Sequence, residues 1–230
     1  RALDSLWLAY QPIVALSAVG ETGAPLTIGY EALARNHEAL VPEAHDLLAL
    51  AVSCGRVRQL GEVVHLRVAE SLAAHPDTTF FVNVDVEELC GPSTLREGPL
   101  AAFRSRVVLE VTERAPVSDK PEVRAGLGEL REEGFRFAMD DLGGGYSGLS
   151  MLPVMAPEYI KVDQTLVRGI HGDPVKKKIV GALASLARQL GIGCIVEGVE
   201  AEPERDALVS LGCDLMQGFL FGRPGPLGGA

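Results

Sequence analysis

The chain has 230 residues, of which 47% are hydrophobic and 23% charged, and its formal net charge at pH 7 is -10. This composition predicts one globular domain with a sizeable core. The acidic balance argues against binding DNA or RNA, because phosphate contacts need Lys and Arg. No apolar run is long enough for a membrane span. The four cysteines form no C-x-x-C pair and are predicted to be reduced core thiols.

Short β-type runs alternate along the chain with helical patterns, which is typical of repeated βα units. We predict eight strands: Leu6 to Val14, Thr27 to Ala34, Thr79 to Val84, Arg106 to Thr112, Arg136 to Asp140, Tyr159 to Val162, Gly193 to Val196 and Leu215 to Phe221. Eight strands in a domain of this size predict an α/β fold, a TIM-like (β/α)8 barrel. Such barrels carry their chemistry at the C-terminal ends of the strands.

The start of the chain departs from this βα rhythm. Only residues 18–25 separate the first two predicted strands, which is too short for a crossover helix, so these strands are predicted to run antiparallel. Two later segments show helical spacing of apolar residues and are predicted to pack on the barrel: Val123, Leu127, Leu130; and Val175, Ile179, Leu183, Leu186, Leu190. We predict a domain over residues 1–224 and a flexible tail over residues 225–230.

Polar side chains stand at the ends of several predicted strands, where apolar or small residues would serve the structure better. They are Glu31, Asn83, Glu110, Asp140, Asp141, Lys161, Glu197 and Gln217. A single acid at a strand end is most often a helix cap or a solvated edge. If these strands surround one barrel, however, all these side chains converge on one mouth.

Five acids at one mouth would repel each other strongly unless cations lay between them. Carboxylates and an Asn amide are hard oxygen donors, which favour Mg²⁺ or Mn²⁺ over zinc. The adjacent acids Asp140 and Asp141 could serve two ions. Two such ions suit in-line displacement at phosphorus, so the pattern predicts phosphodiester hydrolysis.

The segment Tyr30-Glu31-Ala32-Leu33-Ala34-Arg35 resembles the motif for which the EAL family of cyclic di-GMP phosphodiesterases is named. The resemblance continues in order along nearly the whole chain. It is carried by Tyr10 to Val14, Val82 to Val84, Leu109 to Glu113, Asp140 to Ser147, Ile160 to Asp163, Glu197 to Glu200 and Gln217 to Pro224.

The resemblance implies a role for each matching residue. One metal ion would be bound by Glu31, Asn83, Glu110 and Asp140, and a second would be held or approached by Asp140 and Asp141. Lys161 and Glu197 would position and activate the attacking water. The dinucleotide would contact Gln11, Leu33, Arg35 and Gln217, and Glu113 would brace the Asp140-Asp141 loop.

The same resemblance implies hydrolysis of cyclic di-GMP to linear pGpG with two Mg²⁺ or Mn²⁺ ions. We expect inhibition by Ca²⁺, which accepts longer bonds and looser geometry, and a cytoplasmic location. The resemblance also implies a homodimer, and sensory or GGDEF-type domains in a longer protein, which could be membrane-anchored. Four features depart from the family pattern: Asn36 in place of Trp, a shortened segment over residues 37–43, Asp85 in place of Ser and Leu142 in place of Phe. None is a ligand position, so we expect hydrolysis to persist.

The sequence also raises three alternative functions. A receptor could bind cyclic di-GMP without hydrolysis, although no ligand position is deleted. A barrel enzyme could stabilise an enediolate with Mg²⁺ and a Lys base, but the usual capping domain has no room here. The run Gly143 to Gly148, followed by Asp163, matches a dinucleotide-binding pattern. That last reading is disfavoured, because Asp140 and Asp141 would face the pyrophosphate.

Overall fold

The computed structural model describes residues 3, 5–20, 23–38, 44–90, 94–112, 121–144 and 148–227. Eight strands close a barrel in chain order. Their bounds are β1 Leu6–Val19, β2 Pro25–Asn36, β3 Phe80–Asn83, β4 Val107–Thr112, β5 Arg136–Leu142, β6 Tyr159–Val162, β7 Gly193–Val196 and β8 Leu215–Gln217. The fold is therefore the predicted TIM-like α/β barrel.

Strand β1 runs antiparallel to both of its neighbours, β2 and β8, and all other adjacent strands are parallel. The predicted antiparallel start is confirmed. The predicted extension of β8 to Phe221 is wrong, because the chain turns after Gln217. The Phe221 amide donates to the Gly218 carbonyl at 3.0 Å, and a Cβ on Gly218 would lie only 2.1 Å from the Val199 carbonyl oxygen.

The helices of the described residues surround the barrel. Their bounds are α1 Ala44–Ser53, α2 Val57–Ala74, α3 Thr94–Glu97, α4 Pro121–Glu132, α5 Leu152–Met155, α6 Gln164–Val167, α7 Pro174–Leu190 and α8 Glu202–Ser210. Short 3-10 helices cover Val86–Leu89, Pro99–Arg106, Gly148–Met151 and Ile170–Gly172. Within the described part of the chain, no helix has the length and apolarity needed to cross a membrane.

The two predicted apolar helix faces have different outcomes. On α4, the predicted face is buried, as expected. On α7, the buried residues are Val180, Ala184 and Ala187, while Val175 is 62% exposed and Leu190 is 54% exposed. The predicted face is therefore confirmed at Leu183 and Leu186, which are half-buried against the core, and wrong at its two ends. Close packing explains the difference, because two of the three buried side chains are alanines, which let the helix approach the sheet.

The barrel interior is built in two layers. The lower layer is apolar and consists of Ile13, Phe81, Val108, Ala138 and Ile195, with Tyr159 and Leu215 packed against it. Side chains on a strand alternate between two faces, so the next inward position lies two residues nearer the mouth. Those positions are all polar: Gln11, Glu31, Asn83, Glu110, Asp140, Lys161, Glu197 and Gln217. We call these eight residues the polar layer.

The cysteines and the C-terminal segment each modify a prediction. All four cysteines are free, but only Cys213 is buried, and Cys54 is exposed.

Gly225, the first residue of the predicted tail, pairs with Tyr10 of β1. The two residues exchange backbone hydrogen bonds of 2.7 and 3.1 Å. Gly225 is therefore paired with the barrel.

Candidate active site

Lys161 lies at the centre of the polar layer and is completely buried. Its ammonium nitrogen lies 2.8 Å from a carboxylate oxygen of Glu110 and 2.8 Å from one of Glu197. It also lies 3.2 Å from Asp140 and 3.4 Å from Glu31. One positive charge therefore holds together carboxylates from four other strands or strand ends.

Three side-chain amides complete this network. The Asn83 amide nitrogen donates to Glu31 and to Glu110, each at 3.2 Å. The Gln217 amide nitrogen donates to Glu31 at 2.6 Å and to the Gln11 side-chain oxygen at 3.1 Å. These hydrogen bonds fix the orientation of Glu31. The amide nitrogen of Asn83 faces the carboxylates, so metal binding by Asn83 would use its amide oxygen.

The C-terminal end of β5 brings two consecutive acids to the same site. In a regular strand, Asp140 and Asp141 would point to opposite faces of the sheet. The pairing of β5 with β6 shifts register between Met139 and Leu142, and Asp141 has a positive φ of 60°. Such an irregularity re-aims side chains. As a result, carboxylate oxygens of Asp140, Asp141 and Glu197 lie within 4.8 Å of one another.

The charges of the site are unbalanced. Burial raises the pKa of Glu110 well above its usual value, and burial raises that of Glu197 to about 8, although Lys161 opposes both shifts. Burial also opposes the charge on Lys161, but Asp140, Glu110, Glu197 and Glu31 raise its pKa well above the ordinary value. One ammonium group cannot neutralise this many carboxylates. A bound cation would favour the ionised forms of Glu110 and Glu197.

The donor set fits a hard divalent cation. The clustered ligands at Asp140, Asp141 and Glu197 are all carboxylate oxygens. Oxygen-only sets suit Mg²⁺, Mn²⁺ or Ca²⁺ rather than Zn²⁺. A cation among them would also favour the ionised form of Glu197, whose pKa is raised by burial and, less strongly, by Asp140 and Glu31. The residues present therefore fit the metal site predicted from the sequence.

The remaining predicted site residues lie on β2 or outside the described residues. Leu33 and Arg35 follow Glu31 by two and four residues, so they occupy the same face of the strand nearer the mouth. A guanidinium nitrogen of Arg35 donates to the Ala34 carbonyl at 2.9 Å. Glu113 lies outside the described residues, as do residues 145–147 of the glycine-rich run.

Two of the departures from the family pattern have structural roles. Asn36 is buried, and its side-chain oxygen accepts hydrogen bonds from the Ser5 hydroxyl at 2.7 Å and the Glu38 amide at 2.8 Å. Asp85 caps the 3-10 helix that follows Asn83, accepting from the Glu87 amide at 2.8 Å. These contacts organise the loops after β2 and β3.

Sequence reasoning missed Trp7 as a residue of the mouth. Trp7 is the direct cross-strand partner of Arg35, and directly opposed residues share a face of the sheet. The signal was available, because Trp7 lies four residues before Gln11 on the same strand, an even spacing.

The fold and this site define a class of protein: a TIM-like barrel with an acidic cluster at its mouth whose donors fit a hard cation. A comparison with family models narrows the class, because residues 1–224 match the model described as EAL domain. The chain belongs to the EAL domain family.

Two relatives from Pseudomonas aeruginosa illustrate the similarity. The chain is 32% identical to the cyclic di-GMP phosphodiesterase RocR, over 94% of this chain and 57% of RocR. It is 31% identical to the bifunctional diguanylate cyclase/cyclic di-GMP phosphodiesterase MucR, over 86% of this chain and 31% of MucR. The chain thus spans about half of RocR and a third of MucR.

Solved structures agree with this fold. The MucR phosphodiesterase in complex with c-di-GMP has a TM-score of 0.82 at 30% identity, covering 97% of this chain and 93% of that one. Klebsiella pneumoniae BlrP1 has a TM-score of 0.83 at 32% identity, covering 96% of this chain and 56% of that one. Its structures hold the cyclic dinucleotide with calcium or with manganese.

Proposed function

We propose that this domain is a cyclic di-GMP phosphodiesterase that hydrolyses its substrate to linear pGpG with Mg²⁺ or Mn²⁺, two ions in all. The observation that carries the proposal is the polar layer, in which acids from neighbouring strands surround the buried Lys161. Family membership and the names of the relatives RocR and MucR support the choice of substrate.

The proposal assigns metal binding to the oxygen donors of the mouth. Glu31, Asn83, Glu110 and Asp140 would hold one ion, and Asp140 with Asp141 would hold the second. When bound, divalent ions polarise the attacking water and offset the charge that develops on the phosphate. The carboxylate oxygens of Asp140, Asp141 and Glu197 lie within 4.8 Å of one another, and this crowding of acidic groups supports a need for metal.

Lys161 and Glu197 would act on the attacking water. The Lys161 ammonium lies 2.8 Å from Glu197, which holds that carboxylate at the mouth. The Glu197 carboxylate would accept a proton from water as the water oxygen bonds to phosphorus. The bond from phosphorus to the 3′ oxygen breaks, that oxygen would take a proton from solvent water, and Glu197 would return its proton to solvent. The product is pGpG, with a 5′ phosphate and a free 3′ hydroxyl.

Four residues would contact the dinucleotide. Gln11 and Gln217 are hydrogen-bonded to each other at 3.1 Å, so their amides are already oriented at the mouth. Leu33 would supply an apolar contact, and Arg35 would offer its planar guanidinium to a phosphate. Glu113 would brace the loop after β5.

The deciding experiment incubates the purified domain with cyclic di-GMP and identifies products by chromatography. We expect pGpG with Mg²⁺ or Mn²⁺, none in excess EDTA, and inhibition by Ca²⁺, which accepts longer bonds and looser geometry. Tight binding without pGpG under either activating ion would favour a receptor instead. Equal rates in EDTA would contradict the metal-dependent reaction.

Partner domains and assembly belong to the same proposal. The relatives are longer than this chain, and MucR is named as a bifunctional protein that includes a diguanylate cyclase, so we propose sensory or GGDEF-type partner domains. We also propose a homodimer and a cytoplasmic location, where an intracellular second messenger would be degraded. Light scattering at high micromolar concentration tests the dimer, and a strictly monomeric mass would contradict it.

A further inference from the structure

The β1–β2 hairpin projects beyond the polar layer. Strand β3 ends at Asn83, which belongs to that layer, whereas β2 continues five residues past Glu31 to Asn36. Strand β1 pairs with it out to Leu6. The four residues from Gln11 to Trp7 along β1 span about 13 Å. The hairpin therefore forms a wall on one side of the mouth. A ligand held by the polar layer would lie against the inner face of this wall.

Trp7 lies on the inner face of the wall. It is paired directly with Arg35, and it is separated from Gln11 by an even number of residues. The opposite face of β1 carries Leu6, Leu8 and Tyr10, which are buried in the main core. Tyr10 marks that face, because its hydroxyl is 2.6 Å from the Ser71 hydroxyl on α2. The Trp7 side chain therefore lies on the same face of the hairpin as Gln11 and Arg35.

The Trp7 ring stacks on a neighbouring ring and is not part of the hydrophobic core clusters of the described residues. Its indole stacks on the His37 imidazole, with ring centroids 5.9 Å apart and planes inclined by 17°. Trp7 is half-buried and His37 is exposed. A large aromatic ring held in place at a mouth is a ready surface for another flat ring.

We propose that Trp7 is a stacking platform for a purine base of the bound cyclic dinucleotide, the base that extends out of the barrel along the hairpin. His37 holds the indole in position from one side. Arg35, directly across the strand pair, lies where a phosphate next to that base can approach. This inference rests on the proposed function and adds a residue that recognises the base. Base stacking on an aromatic side chain typically contributes about 1–3 kcal/mol.

The chain contains a single tryptophan, which makes the test direct. Cyclic di-GMP is titrated in Ca²⁺, an ion present with the dinucleotide in a BlrP1 structure, while intrinsic fluorescence and calorimetry are followed in parallel. We expect saturable tryptophan quenching with the midpoint that calorimetry gives. Trp7→Ala should weaken binding by about 5- to 150-fold, the equivalent of one stacked base, and Trp7→Phe should weaken it less.

Activity supplies a second readout and a matched control. Because the base lies far from the reacting phosphate, Trp7→Ala should raise KM with kcat nearly unchanged in Mg²⁺. Leu26→Ala, an exposed apolar residue at the opposite end of β2, should change neither quantity. If Trp7→Ala fails to fold, the fluorescence of the unmutated protein and the affinity of Trp7→Phe still test whether a base stacks on Trp7.

The outcomes separate this inference from the proposed function. Hydrolysis or calorimetric binding with unchanged fluorescence overturns the stacking platform and leaves the phosphodiesterase intact, and so does Trp7→Ala at the unmutated affinity. If the unmutated domain neither binds nor hydrolyses cyclic di-GMP, both proposals fail together.

Discussion

Lys161 is the residue on which the charge balance of the barrel depends. Its buried ammonium contacts four carboxylates, so removing it leaves those acids without their internal counter-charge. Removing one partner of a buried ion pair typically costs about 3–5 kcal/mol. Lys161 is thus both a structural residue and, in the proposed reaction, a residue that orients water and phosphate.

We expect Lys161→Ala to lower the stability of the metal-free domain by about 3–5 kcal/mol, and we expect Mn²⁺ to recover part of the loss by supplying positive charge. Substrate binding should persist in Mn²⁺ while turnover falls steeply. Chemical denaturation and product chromatography measure the two effects. Lys178→Ala, on the exposed surface of α7, is the control. Equal stability of the two variants would contradict the central role of Lys161.

A second buried pair, His65 and Glu88, lies away from the mouth. The two side chains approach to 3.5 Å, and His65 is 1% exposed. Burial lowers the pKa of His65 to about 4 and raises that of Glu88 to about 7. Both groups are therefore held neutral near pH 6. Glu88 also accepts a hydrogen bond from the Asp85 amide at 2.9 Å, which ties the pair to the loop after β3.

The pair makes opposing contributions to stability as pH changes. The folded pKa of Glu88, about 7, lies above its ordinary value of 4.5, so its contribution falls as pH rises between these values. The folded pKa of His65, about 4, lies below its ordinary value of 6.5, so its contribution rises over that range. Between about pH 4.5 and 6.5 the two effects nearly cancel.

Glu88→Gln removes the pH-dependent contribution of Glu88 to stability and leaves that of His65. Relative to the unmutated domain, the variant should gain on the order of 3 kcal/mol between pH 4.5 and 8, because one pKa unit corresponds to about 1.4 kcal/mol. Urea denaturation across that pH range measures the difference. Glu87→Gln, at an exposed neighbouring position, should show no such gain. Parallel profiles for Glu88→Gln and the unmutated domain would contradict the assigned pKa direction.

At the scale of elements, α8 is held to the mouth through Glu204 at its N-terminus. The Glu204 carboxylate accepts hydrogen bonds from the backbone amides of Gly169 at 2.8 Å, Glu200 at 3.0 Å and Ala201 at 3.2 Å. The segment that it holds follows Glu197 directly. These amide bonds and Arg168, outweighing burial, lower the pKa of Glu204. The carboxylate thus stabilises the fold in its ionised form.

We expect Glu204→Ala to reduce stability by about 2–4 kcal/mol, because it removes an acceptor shared by three backbone donors. Thermal unfolding measures the loss. The exposed neighbour Glu202 is the control, and Glu202→Ala should be close to neutral, since its contact with Arg205 is a surface ion pair at 3.7 Å. Because the pKa is lowered, the Glu204 contribution should be present above its ordinary pKa and fade as pH falls through the folded pKa. Similar losses of stability in Glu204→Ala and Glu202→Ala would contradict a stabilising role for the three hydrogen bonds to Glu204.

For the whole molecule, metal binding should be coupled to folding. The acids of the mouth come from several strands and meet only in the closed barrel, so an ion that binds them stabilises the folded state. At an ion concentration about 100 times the dissociation constant, the gain is about 2.7 kcal/mol. For a domain of this size that is roughly 5–10 °C in Tm.

Addition of Mn²⁺ or Mg²⁺ to the EDTA-treated domain should therefore raise Tm by several degrees in a thermal shift assay. Asp140→Asn should reduce the shift strongly, because it removes charge from the carboxylate shared by both proposed ions. Asp206→Asn, whose side chain is 67% exposed on α8, should keep the full shift. No shift at millimolar Mn²⁺, or an equal shift in Asp140→Asn, would contradict the metal site.

The sequence predicted which side chains meet at the mouth, because inward-facing residues near the ends of barrel strands come together when the barrel closes. Glu31, Glu110 and Lys161 stand at inward positions of β2, β4 and β6, and the closed barrel brings them together. The even spacing of each from an apolar inward residue reflects the period of two in a strand. Local patterning was sufficient for these residues.

Other features depended on tertiary packing and could not be predicted from the sequence. Asp140 and Asp141 share a site only because β5 shifts register and Asp141 takes a positive φ. Lys161 was assigned to water and phosphate, but its four carboxylate contacts arise from the closure of the barrel. Packing also decided which residues α7 buries most deeply, because Val180, Ala184 and Ala187 are buried while Leu183 and Leu186 are half-buried beside them.

The sequence by itself determined the order and type of the elements, the antiparallel start, the acids at strand ends and the family resemblance, because these follow from local periodicity, loop length and motif. Only the tertiary structure decided which charges touch, how Glu110 and Glu197 come to hold raised pKa values, and that Trp7 stands on the wall of the mouth beside Arg35. The physical reason is that contact, burial and dielectric environment are properties of segments brought together from distant parts of the chain.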